Sequence, residues 1–127
     1  MNTCSVAYFC MEIALHNEMP TYAGGLGVLA GDMLKSCADL RVPVVGVTLL
    51  YRKGFFRQEI DESGWQHEME EVWDPSRFLT LLPQEVTLTL EGRTVSVHAW
   101  LAKVQGVGGN IVPVLFLDTD VAGNSEE

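Results

Sequence analysis

The stretch that most constrains this chain is Tyr22-Ala23-Gly24-Gly25-Leu26-Gly27-Val28-Leu29-Ala30-Gly31-Asp32, where a cluster of glycines opens directly into an apolar, helix-like segment. Glycine admits positive φ and lets another group come close to the main chain. A helix start adds unpaired N–H groups and the positive end of the helix dipole. Such a turn is suited to phosphate or another anion. It needs no basic side chain, which matters in a chain whose net charge is −9. The plainer alternative is a glycine turn with a structural role alone.

That charge also excludes function classes. Nucleic-acid backbones are met by clusters of Lys and Arg, and anionic lipid surfaces select for the same residues. The expected partners therefore include no nucleic acid and no membrane. No apolar stretch reaches the ~20 residues a membrane helix needs, and no signal peptide is evident. The 127 residues suit one small domain. Cys4, Cys10 and Cys37 form no C-x-x-C pair, so reduced thiols in the cytoplasm are expected rather than a disulfide framework or a zinc site.

Hydrophobic patterning predicts an α/β fold. Ser5 to Cys10 reads as a short buried strand. Leu26, Leu29/Ala30, Met33/Leu34 and Cys37/Ala38 recur at helical spacing over Leu26 to Leu40, and Arg41-Val42-Pro43 ends the helix. Val44 to Tyr51 reads as a second buried strand, giving a βαβ unit with a parallel pair. Gly54 to Ile60 and Trp65 to Val72 flank Asp61-Glu62-Ser63-Gly64 as a hairpin. Val86 to Leu90 and Val95 to Leu101 flank Glu91-Gly92-Arg93 as a second hairpin. Ile111 to Leu117 reads as a last buried strand. Buried strands of this kind need helices on both sheet faces, and one convincing helix is too few. More chain is expected.

The chemistry-bearing residues are few. Gly25-x-Gly27-x-x-Ala30 matches a dinucleotide fingerprint, but the first strand ends well before it and no acidic residue closes the next strand. Glu12, His16 and Glu18 precede the glycine turn and suit either acid–base work or ordinary polar loop contacts. Asp32 lies where the helix dipole alone favours a carboxylate. Arg52, Lys53 and Arg57 are the one dense positive cluster; pairing with Glu59, Glu68, Glu70 and Glu71 across the hairpin competes with a phosphate role. His67 and His98 sit in strand patterns, and Asp118 and Asp120 make half a calcium loop without its glycine and distal glutamate. Trp65, Trp73 and Trp100 suit sugar stacking or packing equally. No complete catalytic constellation and no metal site assembles from these residues.

Taken together, Tyr8-Phe9-Cys10-Met11-Glu12, the Tyr22 to Asp32 block, Val45-Gly46-Val47, Tyr51-Arg52-Lys53-Gly54-Phe55-Phe56-Arg57-Gln58, Asp61 to Gln66 and Leu115 to Asp120 resemble the opening of α-glucan (glycogen, starch or maltodextrin) phosphorylases, in their shorter bacterial and archaeal form. The resemblance covers nearly the whole chain. It implies that residues 1–127 are the first part of the Rossmann-like N-terminal domain of a two-domain, GT-B type glycosyltransferase, with inserted β-hairpins. It implies transfer of a terminal α-1,4-linked glucose to inorganic phosphate, giving glucose 1-phosphate. Pyridoxal phosphate would be held by a lysine of the C-terminal half; Lys35, Lys53 and Lys103 do not sit in that lysine's context. Gly24, Gly25 and Leu26 would offer backbone N–H groups to phosphate and sugar, and Gly27 would let the helix start come close. Catalytic residues are expected outside this chain, which alone should be inactive. The full-length protein would be cytoplasmic, act on α-1,4-glucan and inorganic phosphate, and be compatible with a homo-oligomer. Two other readings stay open: the N-terminal half of a sugar-nucleotide-dependent glucan synthase, whose glycine turn carries lysine where this chain has Tyr22, and a non-catalytic glucan-binding remnant.

Overall fold

A computed structural model describes residues 6–125. Cys4, and Ser5 at the start of the first expected strand, lie outside the described residues. The chain runs β1 (Val6–Phe9), α1 (Gly25–Asp39), β2 (Val44–Leu49), β3 (Arg57–Ile60), β4 (Gln66–Met69), a 3-10 turn (Pro75–Arg77), β5 (Thr80–Leu90), β6 (Arg93–Gln105) and β7 (Ile111–Asp118). Five strands make one mixed sheet in the order β1-β2-β7-β6-β5, and β3 and β4 form a separate hairpin. β1 pairs parallel to β2, and β2 parallel to β7. β7 pairs antiparallel to β6, and β6 to β5. The fold is α/β, and the expected βαβ unit with adjacent parallel strands is present.

One helix covers one face of this sheet. Gly27, Ala30, Gly31, Leu34 and Ala38 are its buried residues. Leu26 and Leu29, placed on the buried stripe by sequence spacing, are 50% and 68% exposed. The stripe is rotated toward the small residues because the helix sits very close to its neighbours. A Cβ at Gly46 on β2 would lie 2.9 Å from Leu34 Cδ1, and one at Gly106 would lie 2.4 Å from the Ala38 carbonyl oxygen. Ile13, Met19, Ala30, Leu34, Ala38, Val44, Leu50, Val112, Val114 and Phe116 belong to the resulting core.

The helix ends in a Schellman closure. Val42 N–H donates to the Cys37 carbonyl (2.9 Å) and Arg41 N–H to that of Ala38 (3.4 Å), with Arg41 at φ 59°. Pro43 follows, but the reversal is made before it.

Three expectations need correction. The β1 strand is not buried: Val6 is 50% and Phe9 73% exposed, because β1 is a sheet edge and no helix among the described residues covers its outer face. The β7 strand is buried on one face only, alternating along Ile111–Asp118. The second hairpin turns on two residues rather than three. Arg93 pairs with Leu90, leaving Glu91 (φ 50°) and Gly92 (φ 77°) as the turn, the left-handed pair of a type I′ hairpin. Its first arm also starts earlier, at Thr80, and crosses an irregularity between Leu81 and Glu85, where Pro83 breaks the sequence pattern.

Candidate functional site at the glycine turn

α1 returns antiparallel to the β1 and β2 strands, so its N-terminus lies at their carboxyl edge, where open α/β sheets place ligands. Chain leaving β1 is tied down there. Cys10 N–H donates to the Val47 carbonyl (3.0 Å), and the Tyr51 hydroxyl donates to the Met11 carbonyl (3.0 Å). The fully buried Thr21 donates from Oγ1 to the Ile13 carbonyl (2.8 Å), closing the segment between β1 and α1.

Glu12 joins this segment to the turn. Its Oε2 accepts from Ala23 N–H (2.7 Å) and its Oε1 from Gly27 N–H (3.0 Å). Ala14 N–H donates to the Gly27 carbonyl (2.9 Å). The N-cap residue, Gly24, supplies no side-chain cap, so a carboxylate from the connection between β1 and α1 caps the helix in its place. Neither Glu12 nor His16 is arranged as an acid–base pair: His16 Nδ1 accepts from Glu18 N–H (3.2 Å), and Glu18 pairs with Arg77 (3.0 Å).

The glycines divide by role. Gly27 is needed for close approach, since a Cβ there would lie 2.5 Å from Tyr22 Cβ and 3.3 Å from Glu12 Cδ. Gly31 is tighter, with the Ala14 carbonyl oxygen at 1.9 Å from a built Cβ. Gly24 and Gly25 have nothing within 4 Å of theirs. None of these glycines takes a positive φ; the turn uses their smallness. Gly24, Gly25 and Leu26 are exposed, and their N–H groups find no partner among the described residues.

The basic cluster is spent on structure. Lys53 pairs with Glu70 (2.6 Å) and Arg57 with Glu71 (3.6 Å) across the hairpin, as expected, whereas Glu59 meets Arg57 (2.9 Å) along their own strand. Arg52 instead reaches Asp118 Oδ2 (2.6 Å), which also accepts from Trp100 Nε1 (3.0 Å), while Oδ1 accepts from Asp120 N–H (3.0 Å). The Arg52 guanidinium lies 5.7 Å from the Trp100 ring centroid. Asp118 is thus turned inward as the anchor of β7 rather than outward toward a cation. Trp73 donates from Nε1 to the Tyr51 carbonyl (2.7 Å), and Trp65 is 73% exposed on the hairpin. His67 meets Asp61 (2.7 Å) and His98 meets Glu85 (3.3 Å), both at the surface. Asp32 lies 3.7 Å from Lys35.

Sequence reasoning located the turn but missed the Glu12 clamp and the Arg52–Asp118 pair. These link positions 11, 15 and 66 residues apart, distances over which local periodicity carries no information.

Residues 12–126 match the family model described as carbohydrate phosphorylase. The chain is 40% identical over 130 residues to a glycogen phosphorylase of Mycobacterium tuberculosis, covering 96% of this chain and 14% of that protein. It is 37% identical over 129 residues to a maltodextrin phosphorylase of Thermococcus litoralis, covering 96% of this chain and 15% of the other. A glycogen phosphorylase of Aquifex aeolicus is 32% identical over 126 residues, with 94% and 18% covered. The chain thus spans less than a fifth of the length of these relatives. With an α/β sheet, a close-packed glycine turn and this breadth of match, the chain belongs to the carbohydrate phosphorylase family.

Proposed function

We propose that the chain is part of the N-terminal, Rossmann-like domain of a GT-B type α-1,4-glucan phosphorylase, an enzyme that moves a terminal glucose to inorganic phosphate and releases glucose 1-phosphate. In this reading Gly24, Gly25, Leu26 and Gly27 form the substrate end of the domain. The observation that carries it is the set of unpaired amides at Gly24, Gly25 and Leu26, open to solvent at the carboxyl edge of parallel strands. Gly27 contributes by its missing side chain, since its own amide is taken by Glu12. Amide donors of this kind suit sugar hydroxyls and phosphate oxygens alike.

Pyridoxal phosphate, which the family implies, finds no fitting lysine here. Lys35 and Lys53 are exposed beside Asp32 and Glu70, and Lys103 is exposed on β6. We assign the cofactor and the catalytic groups to another part of the phosphorylase, in the cytoplasm. The partners are then α-1,4-glucan and inorganic phosphate.

Two measurements test this. Maltoheptaose and inorganic phosphate should shift the amide resonances of Gly24, Gly25 and Leu26 in the labelled chain, whereas ADP-glucose, which a sugar-nucleotide synthase would bind, should add no shift. The chain incubated with maltoheptaose, phosphate and pyridoxal phosphate should release no glucose 1-phosphate. Amides indifferent to both ligands, or activity of the chain by itself, would contradict the assignment.

A further inference from the structure

We infer that Glu12 positions the glycine turn, an inference that rests on reading the turn as the substrate end of the domain. Its carboxylate accepts from amides on both flanks, Ala23 and Gly27, so that Gly24, Gly25 and Leu26 are strung between two pinned points. Bonds from N–H to a carboxylate are the stronger kind. The residues beside Glu12 are themselves fixed: Ile13 is fully buried, and the Met11 carbonyl is held by Tyr51. The missing side chain of Gly27 makes room for this contact, because a Cβ would stand 2.5 Å from Tyr22 Cβ and 3.3 Å from Glu12 Cδ. The clamp therefore runs from the connection after β1, through one carboxylate, to the third residue of α1.

This role conflicts with simple electrostatics, which makes it testable. A carboxylate beside an anion site repels the anion, so a purely electrostatic Glu12 would weaken phosphate binding, and its neutralisation would strengthen it. A positioning Glu12 does the reverse, because free amides lose affinity when they must first be ordered. Gln offers one acceptor oxygen and turns an NH2 toward the second donor. Asp keeps the charge but is one methylene too short to span both amides.

The experiment uses the 15N-labelled chain, Glu12→Gln and Glu12→Asp, each followed by amide hydrogen exchange and by titration with inorganic phosphate and with maltoheptaose. In both variants exchange at Ala23 or Gly27 should rise about tenfold or more, while Val47 and Val114 in the central strands exchange as before. Dissociation constants read at Gly24, Gly25 and Leu26 should rise about fivefold or more. Unchanged exchange at Ala23 and Gly27 in Glu12→Gln would overturn the clamp, and so would phosphate bound equally or more tightly by that variant. An unaffected Glu12→Asp would overturn it in favour of charge alone. If neither ligand moves these amides in the unsubstituted chain while Ala23 and Gly27 stay protected, the substrate reading of the turn falls, and the inference with it.

Discussion

Gly31 and Gly25 stand on the same helix yet face opposite constraints, and substitution by alanine separates them. Helix propensity alone favours alanine at either position by about 1 kcal/mol. At Gly31 the new methyl would meet the Ala14 carbonyl oxygen at 1.9 Å and its carbon at 2.9 Å, both backbone atoms that cannot rotate away. Gly31→Ala should therefore cost about 2 kcal/mol or more in urea unfolding, and Gly25→Ala, with nothing within 4 Å, should change stability by less than about 1 kcal/mol. Equal effects would mean that α1 does not lie against residues 12–14. Asp61 offers a pH test at the same scale. The Ser63 hydroxyl, then His67, then the Trp65 amide hold its carboxyl well below the usual carboxylate range. A carboxyl depressed in the folded state stabilises above its unfolded pKa of about 3.9 and loses that contribution as pH falls below it. The Asp61 side-chain carboxyl resonance should accordingly keep its ionised position from neutrality down to about pH 4 and change only below it; in Asp61→Asn the amide shifts of the Asp61–Trp65 loop should be displaced already at neutral pH. Such local turns are legible in sequence. The Glu12 clamp is not, because nothing in the spacing of Glu12, Ala23 and Gly27 announces that they meet.

Elements were legible to the extent that their periodicity was local. Helix α1, strands β2 and β7 and both hairpins follow from apolar spacing and turn residues, whereas the first half of β5 is hidden by Pro83, which sits in the irregular part of the ladder between Leu81 and Glu85. Burial is a different matter, since a strand such as β1 reads as buried only if something covers it. The end of α1 gives the sharpest test at this scale. Its Schellman closure puts Arg41 at φ 59°, a position that favours glycine. A left-handed residue with a Cβ carries about 1–2 kcal/mol of strain. Arg41→Gly should raise stability by about 1 kcal/mol, since the exposed arginine gives up little packing and the hydrogen bonds of Arg41 and Val42 are main-chain. A lower urea midpoint in Arg41→Gly would mean that the arginine side chain, which lies beside Gly108, contributes more than its backbone costs.

At the scale of the whole molecule the sheet has two unequal faces. Gly46 and Val114 lie beneath Leu34 of the helix. Strand alternation sends Phe9, Val47, Leu115 and Leu101 to the other side as one cross-strand row, with Leu49, Leu117 and Ala99 as the next. The sole α-helix among the described residues is on the first side, and Phe9 and Leu49 stand 73% and 46% exposed on the second, with Val86, Leu88 and Leu90 from 44% to 56% along β5. Parallel strands are ordinarily covered on both faces, and exposed apolar side chains grouped at the two edges of this face, Phe9 and Leu49 at one and Val86, Leu88 and Leu90 at the other, seek a partner. Relatives several times longer have the chain to cover it; alone, this chain should cover it with copies of itself. Its net charge of −9 opposes that contact by long-range repulsion, which salt screens within about 8 Å at physiological ionic strength. Association measured by sedimentation should therefore rise with protein concentration and again with salt, together with binding of an apolar dye at neutral pH. Phe9→Lys combined with Leu49→Lys should reduce both without lowering the thermal midpoint, because neither side chain is in the core. A chain that stays monomeric in high salt and ignores the dye would show that this face is closed by its own residues.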